Sequence, residues 1–154
     1  DGARWQDDDQ LHVTLRFVGE VDGGVFEDIT EALADVDAEA FNLRFSGVGH
    51  FPPSGPPRVL WVGVTPSKPL LRLQSRVESC IRDLGLEPEG RNYAPHVTLA
   101  RLKYGNINRV RDFLVEHSEF TTGDIPVSAF QLYSSTLGPK GAVHVMETSY
   151  ELTN

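Results

Sequence analysis

Hydrophobic and polar positions alternate with period two from Leu11 to Val18. Leu11, Val13, Leu15 and Phe17 fall on one side; His12, Thr14 and Arg16 fall on the other. That pattern predicts a half-buried strand. Asp22-Gly23-Gly24 breaks it. Val25, Ile29, Leu33 and Val36 then recur at helical spacing, with Glu27, Asp28 and Glu31 between them, and predict a surface helix. Phe41, Leu43 and Phe45 alternate with Asn42, Arg44 and Ser46, so a second strand follows. Gly47 to Pro57 reads as a loop, stiffened by Pro52-Pro53 and Pro56-Pro57. Val59 to Val64 is more continuously apolar, as expected of a central strand.

The pattern then returns to helical spacing. Ser67 is placed to cap a helix, with Pro69 in its first turn, and Leu70, Leu73, Val77, Cys80, Ile81 and Leu84 mark the inner stripe. Gly85 suits its C-terminal stop. A polar stretch, Glu87 to Asn92, leads into a strand at His96-Val97-Thr98-Leu99. Ile107, Val110, Leu114 and His117 predict a third helix behind Asn106. Two closing strands are expected near Val127 to Tyr133 and Val143 to Leu152, with Gly138-Pro139-Lys140-Gly141 in the loop between them.

Read as a whole, the order strand, helix, strand, loop, strand occurs at 11–64 and again at 96–152, with helix 67–84 joining the halves. This predicts one two-lobed domain over residues 1–154. The class is α+β: two pseudo-symmetric lobes of antiparallel sheet with outer helices and a cleft between them. Symmetry also calls for a strand and a helix ahead of the first half, matching 59–64 and 67–84. None precedes Asp1, so an N-terminal strand and helix are expected to be missing.

Composition narrows the function classes. Hydrophobic residues make up 40% of the 154 and charged residues 23%, an ordinary globular balance. No apolar run approaches the roughly 18 residues of a membrane helix, and no leader resembles a signal peptide. The single cysteine, Cys80, allows no internal disulfide; its apolar helical neighbours predict a core thiol and a cytoplasmic setting. Twenty-two acidic against 14 basic residues give a net charge of −8. That argues against coating long nucleic acid, but a local basic cleft on an acidic body still accommodates one phosphate.

The chemistry lies in a repeated tetrapeptide. His12-Val13-Thr14-Leu15 returns as His96-Val97-Thr98-Leu99. On a strand, residues i and i+2 share a face, so each copy offers an imidazole and a hydroxyl to one side while its Val and Leu face the core. Two copies across a cleft give two imidazoles and two hydroxyls. Cleavage of a phosphodiester needs a base for the attacking oxygen and an acid for the leaving oxygen. Histidine titrates near pH ~6.5, so both forms coexist near neutrality. Threonine hydroxyls can donate to non-bridging oxygens. Arg16 and Arg58 are candidates to add positive charge. Phe51, Trp61, Tyr93 and Tyr133 are candidates to stack a base, with core packing the stronger reading of Trp61.

A lone strand histidine is more often structural than catalytic, and threonine is a good strand former in its own right. Recurrence in matching contexts shifts that balance, since a duplicated fold need not keep its polar positions. No companion carboxylate, cysteine or second histidine at short spacing marks a metal site, and no cofactor is expected. There is no Walker-type loop and no nucleophile-elbow serine. His50, on the proline loop, is read as exposed or touching substrate, and His117 as part of a helix stripe; His144 stands apart. Lys140 is placed to reach an anion.

These residues resemble a known family. His12 to Glu20, Phe51-Pro52-Pro53 with Pro57 to Gly63, Tyr93 to Arg101 and Leu132 to Gly138 are similar to the two-histidine phosphoesterases, and most closely to the RNA 2′,3′-cyclic phosphodiesterase (2′-5′ RNA ligase) group. The resemblance implies metal-free hydrolysis of 2′,3′-cyclic phosphate at RNA or nucleotide ends to a 2′-phosphate. It implies that His12 is the proton donor, that His96 is the acceptor, and that Thr14 and Thr98 hold the phosphate. Substrate contacts from Arg16, Arg58, Phe51 and Tyr133, and a monomer without membrane or obligate protein partner, complete the expectation. Members usually begin with a strand and helix ahead of the first motif, and these are expected to be missing here. Two alternatives stay open: 2′-5′ ligation or cleavage in the same site, and a module that binds RNA ends without turnover.

Overall fold

The computed structural model describes residues 2–103, 107–139 and 141–154; the expectations for Asn106 and Lys140 lie outside them. The strands are β1 (Ala3–Trp5), β2 (Phe41–Leu43), β3 (Phe45–Phe51), β4 (Val59–Val64), β5 (His96–Leu102), β6 (Ile125–Val127), β7 (Ala129–Gly138) and β8 (Gly141–Glu151). The α-helices are α1 (Gly23–Leu33), α2 (Lys68–Asp83) and α3 (Ile107–Glu116). The chain is α+β with antiparallel sheets, in the order β1-β5-β4-β3, β7-β8 and a short pair β2-β6. Among the described residues, no helix is long and apolar enough to cross a membrane.

Two compact units emerge, and each is discontinuous. The first joins Asp1–Thr14, Leu43–Ser67 and Tyr93–Ile125; the second joins Leu15–Asn42, Lys68–Asn92 and Pro126–Asn154. The units are thus drawn differently from the repeat halves. Both His-Val-Thr segments fall in the first.

The first unit is the four-stranded sheet with α3 on one face. Leu60, Ala100, Leu102 and Val110 form its core, joined by Ala3, Phe113 and Leu114. Val110, Phe113 and Leu114 follow the i, i+3, i+4 rule that gives a helix one apolar stripe. His117 continues that stripe as expected, with its ring 4.6 Å from the Phe113 ring. The second unit packs α1 and α2 against the start of the β7-β8 hairpin. Ile29, Leu33, Leu73, Val77, Ile81, Phe130, Tyr150 and Leu152 make its core. Phe130 and Tyr150 stack at 4.9 Å, and the Tyr150 hydroxyl donates to the Thr30 carbonyl at 2.8 Å. The Asp22 side chain caps α1 by accepting from the Val25 amide at 2.8 Å. Gly85, at φ 93°, stops α2 in the left-handed region that other residues rarely adopt.

Three expectations are corrected. Leu11 to Val18 is not a strand: only Val13 makes a bridge, to Val97 of β5. Leu11 and Phe17 are exposed rather than buried. A regular strand needs a neighbour for each ladder amide; on that edge of β5, β1 takes Ala100 to Leu102, the Gln6 amide takes the Leu99 carbonyl, and Pro95, just before β5, has no amide hydrogen to give. Second, Gly47 to Phe51 is strand rather than loop, because β3 continues to Phe51 against β4. Third, the period-two run from Phe41 to Phe45 divides between β2 and β3. β1 and the 3₁₀ turn at Asp8–Gln10 carried too few apolar positions to be foreseen.

Candidate active site

The site begins with one contact. Val13 bridges Val97 in antiparallel sense. Residues flanking such a bridge share a face, so His12, Thr14, His96 and Thr98 project to the same side. His12 stands opposite Thr98, and Thr14 opposite His96. In that register the two histidines take diagonal corners of the quartet. The arrangement has local two-fold symmetry about the Val13–Val97 pair.

The imidazoles are oriented by matching hydrogen bonds. His12 Nδ1 lies 2.7 Å from the Gln10 carbonyl, and His96 Nδ1 lies 2.7 Å from the Ala94 carbonyl. A carbonyl only accepts, so each Nδ1 carries its hydrogen and donates.

A bulge in β5 sets this face. Leu60 pairs with Ala100, but Trp61 pairs with Thr98, so Leu99 is an extra residue on β5. Such a bulge re-aims the strand and reverses its alternation. Val97 before it and Ala100 after it both reach the interior, at 7% and 0% exposure. His96 and Thr98 stay on the opposite face, away from α3.

That face has an aromatic floor. Trp61 pairs with Thr98, and Phe51 pairs with Val59 two residues earlier. The Phe51 ring meets the His96 ring edge-on at 5.0 Å and 77°, and lies 5.5 Å from the Trp61 ring. The Trp61 ring is 6.3 Å from His96. Glycine makes room for the indole: a Cβ on Gly49 would sit 2.2 Å from Trp61 Cζ2. The Trp61 Nε1 atom is buried without a hydrogen-bond partner. Core packing was the stronger sequence reading of Trp61; the structure puts its ring beside His96.

Tyr93 has a role the sequence did not disclose. Its hydroxyl donates to the Thr14 carbonyl at 2.8 Å. It therefore ties the irregular His12–Thr14 segment to the approach of β5. Burial raises the phenol above its ordinary value, so it stays a protonated donor. No sequence signal separates this tie from base stacking, because it depends on where the partner carbonyl lies.

The remaining expected residues have the following neighbours. The Arg16 side chain is 6% exposed and its Nε donates to Glu78 at 3.0 Å. Its remaining nitrogens donate to the Phe17 carbonyl at 2.8 Å and to the Glu87 carbonyl. Its donors are engaged in the second unit, so Arg16 is an anchor there. Arg58 precedes β4 and is exposed; its carbonyl accepts from the Leu102 amide, so by alternation its side chain follows the α3 face. Tyr133 lies exposed on β7, its hydroxyl 3.3 Å from Gln131 Oε1. His50 is on β3 opposite Leu60, on the α3 face, with Nδ1 buried and without a partner. His144 shares a 2.6 Å hydrogen bond with Ser135 on the hairpin.

Two oriented imidazoles and two hydroxyls flanking the Val13–Val97 bridge make a candidate acid–base site for an oxyanion. Residues 3–138 match the model of the 2′-5′ RNA ligase superfamily, and the chain belongs to that family. The RNA 2′,3′-cyclic phosphodiesterase of Aeropyrum pernix is 37% identical over 148 residues, covering 95% of this chain and 83% of that protein. The protein of the same name from Archaeoglobus fulgidus is 35% identical over 143 residues, covering 93% and 80%. A crystal structure from Thermus thermophilus matches with a TM-score of 0.81 at 26% identity, covering 97% of this chain and 82% of that one. E. coli LigT complexed with 3′-AMP shares the fold, with a TM-score of 0.79 at 24% identity, covering 99% and 83%.

Proposed function

We propose that this chain hydrolyses 2′,3′-cyclic phosphodiesters at RNA or nucleotide ends to 2′-phosphates, using the two histidines as acid and base without a metal. The observation that carries the reading is the antiparallel Val13–Val97 bridge, which pairs the two His-Val-Thr segments. Relatives named RNA 2′,3′-cyclic phosphodiesterase at 37% and 35% identity support it.

The cyclic phosphate sits between the diagonal imidazoles. His96 Nε2 takes a proton from water as its oxygen attacks phosphorus. The bond from phosphorus to O3′ breaks, and His12 Nε2 gives its proton to O3′. The product keeps the phosphate on O2′. Thr14 and Thr98 donate to the non-bridging oxygens, whose charge grows in the transition state. The direction, His12 as acid and His96 as base, follows the family resemblance, since the quartet itself is symmetric. Each Nδ1–H bond to a carbonyl holds its ring in one tautomer and aims Nε2 at the substrate.

The test is hydrolysis of 2′,3′-cyclic AMP by the purified chain with EDTA present. The His12→Ala and His96→Ala variants are expected to lose about 10²- to 10⁴-fold in kcat, and the wild-type pH profile should be bell-shaped. Wild-type rates in both variants, or loss of activity with EDTA, would overturn the mechanism. Parallel turnover of 2′-5′ linked dinucleotides measures the ligase-type chemistry of the same site.

A further inference from the structure

The face that carries the quartet continues past the bulge into a basic row. Arg101 of β5 pairs on one side with Val59 of β4 and on the other with Arg4 of β1. Val59 in turn pairs with Phe51 of β3. The row across the sheet is therefore Phe51, Val59, Arg101, Arg4. The Phe51 ring, which touches both Trp61 and His96, fixes which face this is. The opposite face carries the buried Leu60, Ala100 and Leu102 under α3.

Two arginines directly opposite each other on neighbouring strands repel, and such pairs destabilise a sheet. Both are exposed. Among the described residues, no carboxylate comes within ion-pair distance of Arg101. Arg4 carries other contacts of its own, so Arg101 bears the test. On a chain of net charge −8, a paired guanidinium row on the catalytic face is a local site for an anion. Thr98 lies level with Trp61 and Arg101 with Val59, two positions apart on β4, which is roughly 7 Å of strand. The Trp61 and Phe51 rings lie along that interval.

We propose that Arg101 and Arg4 form a second phosphate subsite, which takes the phosphodiester joining the terminal nucleoside to the rest of an RNA strand. The terminal cyclic phosphate lies at the quartet, its nucleoside crosses the aromatic floor, and the next phosphate meets the arginines. This deepens the cyclic phosphodiesterase reading and rests on it: the site takes the end of a strand, beyond the mononucleotide that suffices for chemistry.

The experiment compares the wild type with Arg101→Gln and Arg101→Lys, each checked for an unchanged circular dichroism melt. Two substrates are hydrolysed: 2′,3′-cyclic AMP and a short oligoribonucleotide ending in a 2′,3′-cyclic phosphate. Binding of a 5′-labelled oligoribonucleotide with a 3′-terminal phosphate is followed by fluorescence anisotropy across salt concentrations. Arg101→Gln is expected to raise the oligonucleotide KM and Kd by about ten-fold, as for loss of a charge-assisted contact. Its effect on cyclic AMP should stay within about two-fold. The slope of log affinity against log salt should fall by about 0.7, one single-strand phosphate contact. Arg101→Lys should recover much of the loss. Equal changes on both substrates, or no change in oligonucleotide binding, would overturn the subsite. Salt-dependent oligonucleotide binding that needs Arg101, with no wild-type hydrolysis of cyclic AMP, would sink the catalytic reading and leave the subsite standing.

Discussion

Replacing Tyr93 by Phe removes one oxygen and tests whether the His12–Thr14 segment is held in place for catalysis. The hydroxyl donates to the Thr14 carbonyl at 2.8 Å, and the residues on either side of Val13 make no ladder with β5. A neutral hydrogen bond of this kind contributes about 0.5–1.5 kcal/mol net. Thr14 is exposed, so water can replace the lost donor and the cost stays in that range. Stability should fall by about 1 kcal/mol, which is a Tm shift of about 2–4 °C for a domain of this size. If the same energy holds His12 and Thr14 in their productive position, kcat should fall by about two- to ten-fold, since about 1.4 kcal/mol is a factor of ten. KM should change little, because the aromatic floor is untouched. The assay is steady-state hydrolysis of 2′,3′-cyclic AMP beside a thermal melt. A Tm drop with kcat unchanged would refute the positioning role and leave only a structural one. The phenol adds a pH signature. Its folded pKa is raised by burial, so its stability contribution is fully present below the unfolded value of about 10 and is lost as pH rises beyond it. The wild type should therefore lose stability above about pH 10 more steeply than Tyr93→Phe.

Two further outcomes follow from packing. Gly49→Ala places a Cβ 2.2 Å from the Trp61 ring and must displace the indole; overpacking of this kind costs about 1–3 kcal/mol, and kcat/KM on cyclic AMP should fall as Phe51 and His96 lose their neighbour. A melt and activity matching the wild type would show that the indole has somewhere else to go. Arg16→Ala and Glu78→Ala should each destabilise by about 3 kcal/mol, because each leaves a mostly buried charge without its partner. The double variant should lose less than the sum, and KM for cyclic AMP should be unchanged among molecules that remain folded. A raised KM in Arg16→Ala alone would return that arginine to the phosphate site.

Much of the fold and the heart of the site were legible in the residues alone. Continuous apolarity placed β4 at Val59–Val64, and helical spacing placed α1, α2 and α3 within a few residues. These elements are set by local periodicity and burial, which sequence reports directly. The doubled His-Val-Thr-Leu likewise marked the two segments that the Val13–Val97 bridge brings together. The aromatic at position 51 was also singled out from the chain, and its ring does lie against His96.

The rest was decided by pairing between distant segments. The alternation from Leu11 to Phe17 read as a strand, yet whether a segment joins a sheet depends on a free edge, and β1 with Gln6 already takes β5 from Leu99 to Leu102. Arg16 looked like a phosphate ligand because it follows Thr14 by two residues. Glu78, 62 positions away, claims it instead. Strict alternation would put Arg101 on the face opposite Thr98, three residues earlier. The extra residue Leu99 reverses that and brings the arginine onto the face of Thr98. The chain by itself pointed to the groups proposed to carry the chemistry, because two copies of one short pattern are visible in one dimension. Only the tertiary structure decided how they meet, because a bridge, a bulge and a tyrosine tie are relations between residues far apart in sequence.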